Sequence, residues 1–196
     1  MGVCPLKIGI LALQGDVREH FWAIQNTGNE AIEVKKTAQL EGLAGLIIPG
    51  GESTTIGRLM EEYGFFEAIR QHVEQGLGIY GTCAGLILLA KEIVGSSQPR
   101  LGLMDMVVQR NAYGRQRESF ETDLEIPVLG EEPFRAVFIR APYIEAVGPG
   151  VQVLATYDNK IVFARQGKFL ASAFHPEETD DLRVHRYFLK MLKGEV

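Results

Sequence analysis

Apolar runs alternate with segments of helical periodicity along the first half of the chain. The runs Leu6–Leu13 and Leu43–Ile48 are apolar nearly throughout, which is typical of parallel strands covered on both faces. Ala31–Val34 predicts a weaker strand between them. The predicted helices are Val17–Thr27, Thr54–Glu62 and Phe65–Gln75. This repeat of strand, loop and helix predicts a parallel sheet with helices on its faces.

The second half of the chain is richer in short strands. Asp158-Asn159 lies between two of them and predicts a hairpin, and a last helix is expected at Asp181–Leu192. The predicted strands are Met104–Gln109, Phe120–Ile126, Phe134–Arg140, Val151–Tyr157, Ile161–Arg165 and Phe169–Phe174. We therefore expect a partly antiparallel second half, and one α/β domain over residues 1–196.

Composition narrows the class of protein. The 196 residues are enough to bury a sizeable core, and the two cysteines, Cys4 and Cys83, give no disulfide framework. A net charge of −5, with both signs scattered along the chain, does not suggest a nucleic-acid or membrane surface. With no signal-like segment at the N-terminus and no apolar run of membrane-spanning length, we expect a cytoplasmic protein.

Cys83 lies at a junction between two patterns. The apolar run that begins at Leu77 is interrupted at Gly81, and a helical pattern follows to about Val94. Gly81-Thr-Cys-Ala-Gly85 is the thiol form of a nucleophile elbow, a sharp turn from strand to helix that holds the central side chain at its tip. Glycines leave room for that turn and tolerate positive φ, and a helix N-terminus favours the thiolate. The alternative is a small buried cysteine in a tight turn.

A nucleophilic cysteine needs a base, and His175 is the best placed of the four histidines. It follows the buried run Phe169–Phe174 and precedes Pro176-Glu177. In an extended segment residues two apart point the same way, so Glu177 can reach the imidazole ring. The other three histidines, each within a predicted helix, are expected to be solvated or half-buried structural residues: His20, His72 and His185.

Cys83, His175 and Glu177 together supply a nucleophile, a base and an orienting carboxylate. In α/β-hydrolases the acid lies between nucleophile and histidine, whereas here it follows the histidine, which argues against that class. A Pro-Gly-Gly sequence at residues 49–51 adds flexible backbone at the edge of the sheet where ligands of open α/β sheets bind. Taken alone, His-Pro-Glu is also compatible with a strand end followed by a helix start.

These segments together resemble the class I (triad) glutamine amidotransferases, and more narrowly the glutaminase subunits of pyridoxal 5′-phosphate synthase. The similarity covers nearly the whole length, and we find no departure from the family pattern in its segments. They are Ile8–Gly15, Arg18–His20, Pro49–Thr55, Gly81–Gly85, Arg110-Asn111, Gly114–Gln116, Phe138–Pro142 and Phe174–Glu177.

The resemblance implies a flavodoxin-like three-layer α/β fold and hydrolysis of L-glutamine to glutamate and ammonia. It implies that the ammonia passes to a synthase subunit, a phosphate-binding (β/α)₈ barrel, in a large hetero-oligomer that makes pyridoxal 5′-phosphate (vitamin B6). We expect no cofactor and no metal ion. The residues that it implies for binding L-glutamine are Gly50, Gly51, Glu52, Arg110, Ile139 and Arg140. We expect the oxyanion to be held by the N–H groups of Ala84 and Gly51.

Three alternatives stay open at this point. One is a glutaminase serving another synthase, such as that of the histidine pathway. Another is a cysteine hydrolase of γ-glutamyl or peptide bonds, and the third is a binding module without enzymatic activity.

Overall fold

The computed structural model describes residues 4–110 and 119–196, and its main feature is a ten-stranded mixed sheet. One half is parallel, with strands β1 (Lys7–Leu11), β2 (Glu30–Val34), β3 (Gly45–Ile48), β4 (Gly78–Thr82) and β12 (Phe169–Ser172) in the order β2-β1-β3-β4-β12. This is the strand order of flavodoxin-like folds, as the resemblance implied. Buried residues form all of β3 and β4, so both faces of the sheet centre are covered.

The other half of the sheet is largely antiparallel, as predicted. It contains β5 (Ala90–Ile93), β6 (Met104–Gln109), β9 (Tyr143–Val147), β10 (Gln152–Tyr157) and β11 (Lys160–Gln166). Asp158 and Asn159 both have positive φ in the turn between β10 and β11, which confirms the predicted hairpin. A separate two-stranded sheet pairs β7 (Ser119–Leu124) with β8 (Phe134–Ile139).

Helices cover both faces of the parallel half. In the part of the chain that the structure describes they are α1 (Val17–Asn26), α2 (Ser53–Glu62), α3 (Phe65–Glu74), α4 (Ala84–Leu89) and α5 (Arg183–Lys193), with short 3₁₀ turns at Thr37–Leu40, Pro127–Leu129 and Pro176–Glu178. Side chains alternate between faces along β4. Tyr80 packs on Phe188 of α5, whereas a Cβ atom at Gly81 would meet Gly85 of α4. The three-layer arrangement of the prediction is therefore confirmed. Within the described residues no helix is long and apolar enough to span a membrane.

The structure corrects two details of the predicted elements. The helix after Cys83 ends at Leu89 and not near Val94, because Ala90–Ile93 leaves the helix and pairs with β6 as an edge strand. Ala90 and Ile93 are buried in that strand, so their apolar pattern fitted either structure. The strand Tyr143–Val147 was not predicted at all.

Candidate active site

The predicted reactive residues meet at one edge of the parallel half-sheet. Cys83 directly follows β4, Gly50 follows β3, and His175 follows β12. These strands are adjacent and parallel, so their carboxyl ends share an edge. The loop after β1 brings Asp16 to the same edge, since its backbone N–H donates to the Gly50 carbonyl at 3.1 Å.

Cys83 occupies a strained turn. Its φ of 48° and ψ of −97° lie outside the regions that side chains favour, so the positive φ that the sequence assigned to a glycine belongs to the cysteine itself. Gly81 and Gly85 are needed instead because neighbouring backbone atoms approach both residues too closely for a Cβ atom. A Cβ atom at Gly81 would lie 2.4 Å from the Gly85 carbonyl carbon, and one at Gly85 would lie 2.1 Å from the Ile48 oxygen.

His175 and Glu177 form a buried hydrogen-bonded pair. Nδ1 of His175 lies 2.8 Å from Oε1 of Glu177, and the two side chains are only 4% and 0% exposed. Pro176 starts a 3₁₀ turn, so this contact is made across a turn and not along the extended segment that was predicted. A backbone hydrogen bond of 2.8 Å from His175 to Val137 fixes the position of the histidine.

The electrostatics keep this pair charged. Burial alone lowers the pKa of His175, but Asp16, Cys83 and Glu177 together raise it well above its ordinary value. Burial raises the pKa of Glu177, but its close contacts with His20 and His175 hold it well below its ordinary value. Nε2 of His175 has no hydrogen-bond partner within residues 4–110 and 119–196, although the Cys83 thiol is close enough to affect the ring. The free nitrogen is therefore the one available to Cys83.

The structure adds Asp16 to this group. Its Oδ2 atom lies 3.4 Å from Nδ1 of His175, and its side chain, one third exposed, lines the same cavity as Cys83. The available signal in the sequence was its position shortly after the predicted strand Leu6–Leu13, at the edge where ligands of open α/β sheets bind. Asp16, His175 and Glu177 have the ligand types of a metal site, and in the described structure the two carboxylates contact Nδ1 of His175 at 3.4 and 2.8 Å.

Two histidines differ from the prediction. His20 and His185 are completely buried, because α1 and α5 pack on the same face of the sheet and place His20 Nδ1 3.0 Å from His185 Nε2. They are neither solvated nor half-buried. His72 is partly buried, as predicted.

The loop after β3 is fixed by the loop after β1. The Glu52 N–H donates to Gln14 Oε1 at 2.8 Å, and the Gly50 carbonyl accepts from Asp16. The Glu52 carboxylate caps α2 by accepting from the N–H groups of Thr54 and Thr55 at 3.0 and 2.7 Å. Although burial raises the pKa of Glu52, the Thr55 hydroxyl and these N–H groups lower it to about 2, so the carboxylate is already engaged as a helix cap.

A cavity of about 400 Å³ opens above the cysteine. Arg110 reaches it with Nη1 donating to Gln98, and Cys83 Sγ lies 3.9 Å from the Ile139 oxygen. The predicted site residues that line the cavity are Gly51, Glu52, Cys83, Ala84, Arg110, Ile139, Arg140 and His175. Glu177 lies behind His175, and Gly50 packs beside the imidazole ring, where a Cβ atom would come 2.4 Å from Cε1. Asn111 and Gly114–Gln116, which contributed to the resemblance, lie outside the described residues.

The fold and the site define the class of α/β proteins with a cysteine elbow and a histidine–carboxylate pair at one sheet edge. The chain belongs to the SNO glutamine amidotransferase family, whose model matches residues 10–194. This confirms the resemblance inferred from the sequence.

Named relatives are similar over almost their full length. The chain is 62% identical to the pyridoxal 5′-phosphate synthase subunit PdxT of Moorella thermoacetica, covering 95% of this chain and 100% of that protein. It is 56% identical to the PdxT subunit of Kosmotoga olearia, with 97% and 100% covered.

Two solved structures are also similar to this chain. A crystal structure of a glutamine amidotransferase, 57% identical, superposes with a TM-score of 0.91 over 95% of this chain and 98% of that one. PurLQS from Thermotoga maritima, 17% identical, has a TM-score of 0.72 over 97% of this chain and 100% of that one, and so shares the fold.

Proposed function

We propose that this chain is the glutaminase subunit of a pyridoxal 5′-phosphate synthase, hydrolysing L-glutamine to glutamate and ammonia for vitamin B6 synthesis. The observation that carries the proposal is the His175–Glu177 pair, with the free Nε2 of His175 beside Cys83, in a chain of this family. The relatives that supply the particular assignment match over almost their whole length.

In the proposed reaction the Cys83 thiolate attacks the carboxamide carbon, and the Sγ–C bond forms. The C–N bond then breaks, and ammonia leaves with a proton from His175 Nε2. A water molecule, deprotonated by the same nitrogen, attacks the γ-glutamyl thioester and releases glutamate and the thiol. Glu177 orients the ring throughout and stabilises the imidazolium.

The N–H groups of Ala84 and Gly51 are the proposed oxyanion donors. Ala84 is the first residue of α4, where backbone N–H groups have no intrahelical acceptor. The Gly50 carbonyl is held by Asp16, and in a trans peptide the N–H of the next residue points the opposite way. Reorientation of this Gly50-Gly51 peptide is thus a direct means of making or removing one donor.

Substrate binding is proposed for the backbone around Gly50 and Gly51, for Glu52, and for the segment Ile139-Arg140. Arg110 and Arg140 supply guanidinium groups at the cavity, which suit the α-carboxylate of glutamine. Glu52 already caps α2 through both carboxylate oxygens, so any contact with glutamine would add to that cap.

The proposed partner is the synthase subunit, a phosphate-binding (β/α)₈ barrel, in a large hetero-oligomer that receives the ammonia. We further propose that residues 1–196 form one domain and that the protein is cytoplasmic, in keeping with its two unpaired cysteines. Because one oxyanion donor is typically worth about 10²–10³ in rate, we expect the isolated chain to be weakly active until the partner aligns the Gly50-Gly51 peptide.

The test measures glutamate release by the wild type and Cys83→Ala, each with and without the synthase barrel. We expect release that depends on Cys83 and increases when the barrel is added. Absence of Cys83-dependent glutamate release under both conditions would reject the proposed enzymatic activity. Release that does not change when the barrel is added would point to a different partner synthase. Full activity of the isolated chain would contradict activation by the partner.

A further inference from the structure

A pair of buried histidines lies behind the proposed triad. His20 on α1 and His185 on α5 are both 0% exposed, and His20 Nδ1 lies 3.0 Å from His185 Nε2. The proposed reaction uses neither ring. Tyr80 packs edge-on against both, but its hydroxyl bonds Ser172 at 2.9 Å and so does not satisfy either histidine.

The other nitrogen of His20 faces the triad carboxylate. Nε2 lies 3.4 Å from Oε1 of Glu177 and 3.0 Å from the Thr82 hydroxyl oxygen, which is itself 3.5 Å from Oε1. The same Oε1 atom lies 2.8 Å from His175 Nδ1. One carboxylate oxygen is therefore contacted from two sides, by His175 towards the cavity and by the His20 and Thr82 pair behind it.

The contacts select one arrangement of protons. Glu177 is ionised and only accepts, so Nε2 of His20 must carry a hydrogen. If His20 were a cation, its Nδ1 would donate to His185 Nε2, and the His185 proton would have to move to Nδ1, a buried atom without a partner in the described structure. If His20 is neutral, His185 Nε2 donates to it and no N–H group is left unpaired. Burial lowers the pKa of His185 to about 3, so that ring is also neutral.

We propose that His20 is a positioning residue of the glutaminase site: held in its neutral Nε2–H form by His185, it directs this N–H group at the Thr82 hydroxyl and at Oε1 of Glu177, and so fixes the carboxylate behind His175. This inference rests on the proposed function. His20 acts through Glu177 and does not touch the substrate.

A fixed donor is needed because the carboxylate has few other partners. Glu177 is fully buried, and its second oxygen, Oε2, has no hydrogen-bond partner within the described residues. The titratable groups that face His20 are Glu177, His185 and Tyr80. Without the His20 donor only the Thr82 hydroxyl, at 3.5 Å, holds Oε1 from behind, so the carboxylate can rotate away from Nδ1 and orients the His175 ring less well.

The first experiment tests the proton arrangement without using activity. Nitrogen-15 NMR of the histidine side chains in the wild-type protein distinguishes the Nε2–H form, the Nδ1–H form and the imidazolium. We expect His20 and His185 in the Nε2–H form at pH 7, and a mixture of forms for His20 in His185→Phe. A cationic His20, or an unchanged His20 in His185→Phe, would overturn the proposal.

The second experiment compares His20→Gln with His20→Asn in the presence of the synthase subunit. Both supply an amide, but only glutamine reaches the position of the histidine Nε2 atom. Loss of a positioning contact can cost about 10²-fold in rate, so we expect kcat of His20→Asn to fall about 10- to 100-fold with KM nearly unchanged. His20→Gln should recover most of that loss. Equal kcat values for the two variants would overturn the proposal.

These outcomes separate this inference from the proposed function. If the wild type shows no Cys83-dependent glutamate release, the proposed function fails, whereas the NMR result still decides the form of His20. If either variant does not fold, as judged by circular dichroism, the NMR measurements on the wild type and His185→Phe decide alone.

Discussion

The Asp16 carboxylate lies 3.4 Å from Nδ1 of His175, the nitrogen that Glu177 contacts at 2.8 Å. Two carboxylates thus share one N–H group. Glu177 is completely buried and makes the shorter contact, whereas Asp16 is one third exposed and lines the cavity. The geometry makes Glu177 the principal partner of the ring and leaves Asp16 as a second acceptor for the same proton.

A double-mutant cycle of Asp16→Asn and Glu177→Gln tests this relationship. We expect Asp16→Asn alone to lower kcat less than about tenfold, because Glu177 still orients the ring. Loss of the orienting carboxylate costs about 10⁴ in serine triads, and we expect Glu177→Gln to cost less, about 10²–10³, because Asp16 remains. Asp16→Asn should then lower kcat further in the Glu177→Gln background than in the wild type. Additive effects would show that the two carboxylates act independently.

The pKa shifts of His175 and Glu177 predict how stability depends on pH. The pKa of Glu177 is depressed, so its contribution is full above its ordinary value of 4.5 and is lost as pH falls below it. The pKa of His175 is raised, so its contribution is full below its ordinary value of 6.5 and is lost as pH rises towards the folded value. The pair should stabilise the fold most between these two values.

Urea denaturation of the wild type and Glu177→Gln at pH values below, between and above 4.5 and 6.5 tests this predicted pH dependence of stability. Breaking one partner of a buried ion pair typically costs about 3–5 kcal/mol, and we expect a loss of about 3 kcal/mol near pH 6. The difference between the two proteins should decrease below pH 4.5 and decrease gradually above pH 6.5. A difference that did not vary with pH would mean that the pair is not charged in the folded protein.

Much of the fold follows from local patterns. Leu43–Ile48 predicted the buried strand β3 because both faces of a central parallel strand are covered. The Asp158-Asn159 hairpin followed from residues that tolerate positive φ. The edge strand β5 could not be predicted in this way, since Ala90 and Ile93 fit a helix equally well. Only pairing with β6, a non-local contact, decides between helix and strand.

The site divides in the same way. Gly81, Cys83 and Gly85 lie within five consecutive residues, so their motif could be recognised from the sequence. The burial of His20 and His185 depends on a contact between α1 and α5, whose two histidines are 165 residues apart in sequence. Hydrophobic periodicity does not reveal such a contact. Asp16 follows the predicted strand Leu6–Leu13, but its contact with His175 depends on the positions of two loops from strands that are not neighbours.

Gly15→Ala should disturb the loop that carries Gly50 and Gly51. A Cβ atom at Gly15 would lie 1.8 Å from the Gly50 carbonyl oxygen, and Gly15 has a φ of 104°. Gly28 is a matched control, because it also has positive φ, 80°, but nothing within 4 Å of a Cβ atom. Each substitution should lower the free energy of unfolding by about 1 kcal/mol because of backbone strain.

Only Gly15→Ala should change catalysis, since only it displaces the loop that carries a proposed oxyanion donor. We expect its kcat with the synthase subunit to fall by about 10²-fold, the value of one such donor. Thermal melting and steady-state glutamate release distinguish the two effects. Equal kcat for both variants would show that the loop after β1 does not control the loop after β3.

Arg110→Gln should weaken glutamine binding more than it slows the reaction. The Arg110 side chain lies at the cavity and donates to Gln98, whereas Arg58 on α2 is exposed and does not line the cavity. A charge-assisted hydrogen bond to a carboxylate is worth about 1.5–3 kcal/mol, so we expect KM to rise about 10- to 100-fold with kcat reduced less than fivefold. Arg58→Gln removes the same charge from an exposed position outside the cavity and should leave KM unchanged. A KM for Arg110→Gln equal to that of Arg58→Gln would remove Arg110 from the binding site.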